Sequence, residues 1–246
     1  MTTIDIASHQ RAVDRIGWPV WLLAAAAIVV LMILTLYAMG RAPYYTGGSI
    51  KLWYGLRGGP EQSQHFADWY TFTHILHGPA FFFLLWLVFK KGLKLALPAG
   101  LLFVLAVAIE AAWEIFENTD FIINRYRTKT LARGYMGDSI LNSVGDALAM
   151  AVGYLITMRF PVWATIGVFL LIDLALLIGL RDNLTLNIVM LLFGGWDIEA
   201  IQAIKRWQKS AMLNGAVPLV HASLVGFALI LRTQGRTGRP NCPASQ

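Results

Sequence analysis

The sequence predicts an all-α fold: a polytopic membrane helical bundle of about six transmembrane helices plus an interfacial amphipathic helix. Of its 246 residues, 57% are hydrophobic and only 14% are charged, whereas soluble domains carry about 25% charged residues. Six apolar segments approach the roughly 20 residues that a helix needs to cross a bilayer. Composition and segment length therefore both indicate a chain solvated by lipid.

The six predicted transmembrane helices cover residues 16–40, 70–89, 95–117, 138–158, 161–180 and 215–231. Pro161 and Pro218 lie in the first turns of the last two helices, where proline is tolerated. The apolar run from Leu184 to Phe193 is too short to span, so it is predicted to be a re-entrant or interfacial piece. We expect one integral membrane domain over residues 1–246.

The interfacial helix is predicted at residues 197–212, with Asp197 as its N-cap. Its narrow apolar stripe consists of Ile198, Ile201, Ile204 and Trp207. Such a helix lies on a membrane surface or packs over the loops, and the pattern fits both. The tail at residues 233–246 is predicted to be disordered. It holds the one cysteine, Cys242, so we expect no intramolecular disulfide and no thiolate metal site.

Charge placement favours a cytoplasmic N-terminus and a cytoplasmic C-terminus. With that orientation the inner loops hold 9 of the 20 Lys and Arg residues, but these loops are much shorter, so their cation density is higher. The net charge of +6 fits loops that meet anionic lipid headgroups. We find no nucleic-acid-binding motif, so the expected partners are membrane lipids.

Ionisable residues inside the predicted helices carry the strongest functional signal. Each costs about 2.5–3.5 kcal/mol at mid-depth on insertion scales, so each needs a partner or a purpose. They are His74, His77, Glu110, Glu114, Asp146, Asp173 and His221. Counted from the helix ends, one such residue in each of helices two to six lies roughly 10 Å below the same face. We therefore expect them in the outer half of the bilayer.

Helical spacing also predicts that three polar faces meet inside the bundle, because residues three or four apart share a face. The three faces carry His74 with His77, Glu110 with Glu114, and Asp138 with Asn142 and Asp146.

Histidine and carboxylate together form a ligand set typical of zinc or another divalent metal, which can activate a bound water. We predict His74, His77 and Glu114 as metal ligands. Glu110 or Asp146 would then act as the general base, since clustered carboxylates in a low dielectric are suited to acid–base chemistry.

The mouth above these residues is polar and basic. Arg125, Arg127 and His65 are predicted to bind a phosphate or another anionic headgroup. Asp138 and Asn142 are further candidates for a catalytic role.

Structural explanations of the same residues stay open. The histidines can bond to backbone carbonyls, and the glutamates can form buried pairs that hold helices together. Asp138 can cap the fourth helix, and Asp173 can pair with His221. Arg125 and Arg127 can simply meet lipid headgroups.

The stretch Asp138-Ser-Ile-Leu-Asn142-Ser-Val-Gly145, followed by Gly153, resembles the Asp-x-x-x-Asn-x-x-Gly signature of VanZ-like membrane proteins. The match covers about residues 70–158. VanZ-like proteins are linked to glycopeptide-antibiotic tolerance, and this chain departs from them in carrying Asp146 and the extra histidines.

The stretch from Ser63 to Gly78, SQHFADWYTFTHILHG, is similar to the signature of an uncharacterised family of bacterial inner-membrane proteins that has only a placeholder name. This resemblance extends over most of the chain. It implies a location in the bacterial inner membrane and no established activity.

Three functions follow from these observations. The first is a metal-dependent or acid–base membrane enzyme acting on a lipid-linked or headgroup substrate near the periplasmic leaflet. The second is a proton- or cation-coupled transport or binding protein, although its polar path should continue into the inner half, where the sequence places almost nothing ionisable. The third is a structural membrane assembly factor whose polar cluster only fixes helix packing.

Overall fold

The computed structural model describes residues 16–56, 61–129, 135–180 and 183–192. Its helices are α1 (Trp18–Ala38), α2 (Thr71–Leu85), α3 (Ala99–Glu117), α4 (Asp120–Lys129), α5 (Ile140–Thr157), α6 (Val162–Leu180) and α7 (Leu184–Leu192). A π-helical segment, Trp86–Gly92, continues α2. These ranges contain no β-strand, so the predicted all-α class is confirmed.

Five helices are long and apolar enough to cross a membrane: α1, α2 with its π-helical segment, α3, α5 and α6. They correspond to the first five predicted helices. The predicted sixth helix (215–231), the interfacial helix (197–212), the tail (233–246) and His221 lie outside the described residues.

Two compact units divide the chain, Met1–Asn187 and Ile188–Gln246. The first unit holds α1 to α6 and the start of α7. The prediction of a single domain stays a prediction.

Several helix boundaries differ from the predicted ones. Helix α3 begins at Ala99 rather than at residue 95, because Pro98 occupies its N-cap. Asp138 does not cap α5, so that prediction is wrong. The N-cap is Ser139, whose hydroxyl accepts the backbone N–H of Asn142 at 3.2 Å.

Helices α2 and α5 pack with their backbones close together. A methyl group at Gly78 would overlap the backbone of Gly153 and Tyr154, and one at Gly153 would overlap the carbonyl of Ile75. That carbonyl lacks its usual helical donor, because residue 79, four positions later, is proline and has no N–H. Glycine therefore allows the approach that brings the polar faces of α2 and α5 together.

The loop between α1 and α2 covers the start of α5. The first N–H groups of a helix have no partner within the helix. Here the N–H groups of residues 139, 140 and 141 donate to the carbonyls of Ser63, Ala42 and Pro43 at 2.9, 2.9 and 3.0 Å. A side chain on Gly145 would overlap the carbonyl of Phe66. The loop thus fixes the end of the bundle at which α5 begins.

Candidate metal centre

Three helices bring five ionisable side chains together inside the bundle. Helix α2 contributes His74 and His77, α3 contributes Glu110 and Glu114, and α5 contributes Asp146. We call these five residues the cluster. The prediction that these polar faces meet is confirmed, since the ion pairs described below join the histidines of α2 to carboxylates on both other helices.

Glu110 bridges the two histidines. Its Oε1 lies 2.7 Å from Nδ1 of His74, and its Oε2 lies 2.9 Å from Nδ1 of His77. Both imidazoles can donate from Nδ1 to this fully buried carboxylate, which leaves the lone pair of each ring on Nε2. A carboxylate on the far nitrogen is the usual way in which proteins orient a metal-binding histidine.

Glu114 and Asp146 are buried too, but neither bridges two histidines, and Asp146 has a hydrogen bond from the side chain of Thr71. Glu114 Oε1 lies 3.2 Å from Nδ1 of His74, a nitrogen already bonded to Glu110. Asp146 Oδ2 lies 3.8 Å from Nε2 of His74, beyond hydrogen-bond distance. Within the described part of the chain, both oxygens of Glu114, Oδ1 of Asp146 and Nδ2 of Asn142 have no hydrogen-bond partner. Such groups are rare in folded proteins, because each loses its water without replacement.

The ion pairs of the cluster within the described ranges all join a histidine to a carboxylate. Three carboxylates and two histidines carry a formal charge between −3, with neutral rings, and −1, with both rings protonated. Buried charge of one sign is costly unless a cation or protons neutralise it.

Two overlapping groups of side chains in the cluster could hold a metal ion: His74, His77 and Glu110, and His74, Glu114 and Asp146. In each group the ligand atoms lie within 4.8 Å of one another. Nitrogen and carboxylate oxygen are suitable ligands for zinc and for several other divalent ions. The residues therefore fit a buried divalent cation, and the second group contains the unpartnered oxygens.

Asp138 belongs to a separate hydrogen-bond network at the outer end of α3 and α5. Its Oδ2 accepts the hydroxyl of Tyr135 at 2.8 Å and the amide of Asn118 at 2.9 Å. Its backbone N–H donates to Oδ1 of Asn118 at 2.7 Å. Burial raises the pKa of Asp138, against the effect of these hydrogen bonds, and burial together with the Asp138 charge raises the pKa of Tyr135. Asp138 thus anchors the segment that enters α5.

His65 lies in the loop between α1 and α2, which we call the covering loop, and it has partners of its own. Its Nε2 is 3.0 Å from Glu61, and its Nδ1 accepts the backbone N–H of Lys51 at 3.3 Å. Its ring is buried between Tyr45 and Tyr54. The hydrogen bond from Lys51 lowers the pKa of Glu61. This arrangement fits a residue that holds the loop together.

The two predicted anion-binding arginines lie on α4, outside the cluster. Arg127 donates from Nε to the carbonyl of Tyr135 at 2.5 Å, and Arg125 lies two residues earlier on the same helix. Asp173 is also placed apart from the cluster. Its Oδ2 accepts the amide of Asn183 at 2.8 Å and the hydroxyl of Thr185 at 2.9 Å, so it ties α6 to the start of α7.

Sequence reasoning missed three residues that position the site: Asn118, Tyr135 and Glu61. Asn118 directly follows α3, and its pairing with Asp138 spans 20 residues. Neither helical spacing nor hydropathy identifies a partner across such a distance. The pairing of Glu61 with His65 could have been predicted, because the two residues are only four apart.

Comparison with known proteins gives the family. Residues 36–210 match the family described as "Protein of unknown function (DUF2585)". A UPF0314 protein of Agrobacterium fabrum is 45% identical over 77% of this chain and 90% of its own length. UPF0314 proteins of Paracoccus denitrificans and Sphingopyxis alaskensis are 43% and 41% identical, over 77% and 80% of this chain and 92% and 96% of theirs. No solved structure matches the chain. The chain belongs to the bacterial DUF2585 family, whose relatives bear the name UPF0314.

Proposed function

We propose that this chain is an integral protein of the bacterial inner membrane that binds one divalent metal ion, such as zinc, in its cluster. The bound ion would serve hydrolytic or acid–base chemistry on a lipid-linked or headgroup substrate. The observation that carries the proposal is the set of buried, unpartnered oxygens of Glu114 and Asp146 beside His74.

The charge of the cluster supports a cation at this place. A divalent ion would offset the excess negative charge and give the unpartnered oxygens a partner. The atoms nearest such an ion would be Nε2 of His74 and Oδ2 of Asp146, which are 3.8 Å apart. Two atoms that bind the same zinc ion at about 2.0–2.2 Å each are separated from one another by a distance close to this 3.8 Å. A metal there would lower the pKa of a bound water and so supply hydroxide for hydrolysis.

The contacts suggest roles for four of the five residues of the cluster. Glu110 orients both histidines, because both of its oxygens face an Nδ1. His74 and Asp146 bind the metal. Glu114 is either the third ligand or the general base, since both of its oxygens lack a hydrogen-bond donor.

The predicted orientation places the covering loop and the cluster on the periplasmic side, with both chain termini in the cytoplasm. Five helices long enough to span support the membrane location. A lipid-linked or headgroup substrate would then meet the basic helix α4, which carries Arg125 and Arg127. The resemblance to VanZ-like proteins stays a prediction, carried by Asp138 and Asn142.

Metal analysis of the purified protein tests the proposal. Wild-type protein, isolated in mild detergent without chelators, should contain close to one divalent ion per chain. Asp146→Asn and His74→Ala should lose it while remaining folded by size-exclusion chromatography. Asp173→Asn is the matched control, because it removes a carboxylate from a membrane-spanning helix outside the cluster.

Metal-free wild-type protein that also takes up no zinc on titration would refute the proposal. Equal metal content in wild type and in either Asp146→Asn or His74→Ala would place the metal elsewhere. In either case the cluster would instead hold protons or fix helix packing.

A further inference from the structure

Most of the cluster is buried, and its most exposed part is the side chain of His77, which we call its exposed edge. The side chains of Glu110 and Glu114 are fully buried, and those of Asp146 and His74 are 5% and 8% exposed. His77 has the largest exposed fraction, 12%. Of the five residues, His77 is therefore the most accessible from outside the bundle.

The helical position of His77 shows which way this edge faces. Ala80 and Leu84 follow it by three and seven residues, so they lie on the same side of α2. Both are exposed and apolar. The edge thus opens onto the apolar outer surface of the bundle.

Aromatic rings flank this edge on both helices. The ring centroid of His77 lies 5.4 Å from that of Phe81 on α2 and 6.2 Å from that of Trp113 on α3. Phe116, one turn beyond Trp113, is exposed on the same side and lies 6.1 Å from it. The surface where α2 meets α3 at His77, Phe81 and Trp113, which we call the groove, is therefore polar at His77 and aromatic on either side.

The other approaches are closed in the described part of the chain. On the α5 side, the backbone contacts of Gly78 and Gly153 leave no space for a side chain. At the outer end, the covering loop lies against Gly145, and Asp68 in this loop is buried with both carboxylate oxygens bonded to backbone N–H groups.

We infer that the cluster opens laterally, between α2 and α3, and that a membrane lipid enters there with its polar group at His77 and its hydrocarbon chain along Phe81 and Trp113. The inference rests on the proposed function for the membrane location and for the chemistry that the lipid would meet. It narrows the substrate to an amphiphile with a long hydrocarbon chain, because apolar walls favour burial of such a chain. A water-soluble substrate would need a polar path from the outer end, which the covering loop blocks.

Cysteine labelling in vesicles tests the direction of the opening. Single cysteines at His77→Cys and Leu76→Cys are made in a Cys242→Ser background and reconstituted into phosphatidylcholine vesicles. Each is exposed to a maleimide carried on a lipid and, separately, to a charged, water-soluble thiol reagent. Leu76 is the matched control, because it is adjacent in sequence but only 1% exposed.

The inference predicts that His77→Cys is labelled by the lipid-borne maleimide and resists the charged reagent, while Leu76→Cys resists both. Labelling of His77→Cys mainly by the charged reagent would reveal an aqueous opening and overturn the inference. Labelling by neither reagent would also overturn it, because another segment of the chain would then close the groove. If His77→Cys does not fold, Phe81→Cys gives the same comparison at the groove wall.

The labelling result does not depend on bound metal, so the two proposals fail separately. A metal-free protein that is labelled from the lipid phase would keep the lateral opening and refute the metal. A metal-containing protein that is labelled only from water would keep the metal and refute the lateral opening.

Discussion

Glu110 differs from the other two carboxylates of the cluster in having a histidine on each oxygen. A single carboxylate that fixes two imidazoles sets the tautomer and orientation of both. Glu114 and Asp146, in contrast, each present oxygens with no donor. This difference indicates that Glu110 orients the histidines, whereas Glu114 and Asp146 each have an oxygen available to bind a cation.

Replacing Glu110 should weaken metal binding without removing a ligand. In Glu110→Gln, the amide oxygen can still accept from one histidine, but the amide NH₂ faces the Nδ1–H of the other. Loss of a carboxylate that orients a ligand typically costs about 10–100-fold in metal affinity. Competition titration with a chromophoric zinc chelator measures this, and an unchanged affinity would show that Glu110 does not orient the ligands.

Asp138 should make stability depend on pH. Its pKa is raised in the folded protein, so the folded state binds a proton more readily than the unfolded chain, whose carboxyl titrates near about 3.9. The free energy of unfolding therefore falls as pH rises from about 4 through the raised pKa of Asp138. Thermal melting of the detergent-solubilised protein across this range measures the slope.

In Asp138→Asn the slope should be shallower, because the asparagine oxygen can accept the same bonds from Tyr135 and Asn118 but does not titrate. Asp120→Asn removes a carboxylate whose side chain is 92% exposed and serves as the control. An Asp138→Asn slope equal to that of wild type would mean that Asp138 does not contribute to the pH dependence.

At the scale of helices, the α2–α5 contact decides whether the cluster forms. Gly78, Gly145 and Gly153 lie where any side chain would overlap a backbone atom of a neighbouring segment. Pro79 leaves the carbonyl of Ile75 without its helical donor, and Gly153 lies against that carbonyl. Small residues that allow close backbone approach are typical of helix contacts in membranes.

Gly153→Ala should destabilise the fold even though alanine has the higher helix propensity. The added methyl group forces α2 and α5 apart, and overpacking of this kind costs about 1–3 kcal/mol. Gly167→Ala on α6 is the matched control, because a methyl group there meets nothing within 4 Å. Its thermal midpoint should stay the same or rise. Equal midpoints for Gly153→Ala and Gly167→Ala would contradict the close α2–α5 contact.

The sequence predicted the apolar helices better than their ends. Hydropathy located the five long helices, but it placed the start of α3 at residue 95, because the residues before Pro98 are also apolar. It missed α4, since a ten-residue helix with several charged residues gives no apolar window. Asp138 was considered as a possible cap of α5 and Ser139 was not, although both residue types are good caps and the two are adjacent.

The helices of the first unit have different loops at their two ends. The chain between α1 and α2 lies at the same end as the start of α5, because the backbone of α5 bonds to Ala42, Pro43 and Ser63. At the opposite end, Lys90 and Lys91 lie in the last turn of the π-helical segment, and Lys94 lies in the turn between this segment and α3. We call the stretch from Lys90 to Lys94 the lysine-rich turn. The positive-inside rule assigns this lysine-rich turn to the cytoplasm.

Labelling of intact cells should show this orientation. In a Cys242→Ser background, Leu52→Cys in the covering loop should react with a reagent that cannot cross the inner membrane. Leu93→Cys in the lysine-rich turn should react only after the membrane is opened. Both leucines are exposed, so burial does not explain a difference. The reverse pattern would invert the topology and place the cluster in the cytoplasmic half.

The cluster was predictable because charged side chains inside apolar helices are few, and their spacing assigns them to one face. Distances between helices were not predictable, because they depend on how far α2 and α5 approach, which the glycines and Pro79 set together. Asp173 shows the limit of the depth argument. It has a depth similar to that of the cluster residues but bonds to Asn183 and Thr185, because depth gives no information on which helices are neighbours.

The most direct test of the metal centre is anomalous diffraction from crystals of the metal-loaded protein, collected at the absorption edge of the bound metal. We expect one peak inside the bundle, within about 2.0–2.2 Å of ligand atoms of His74 and Asp146, with Glu114 beside it. Loaded crystals with no peak among α2, α3 and α5, or with a peak only at the protein surface, would contradict the account.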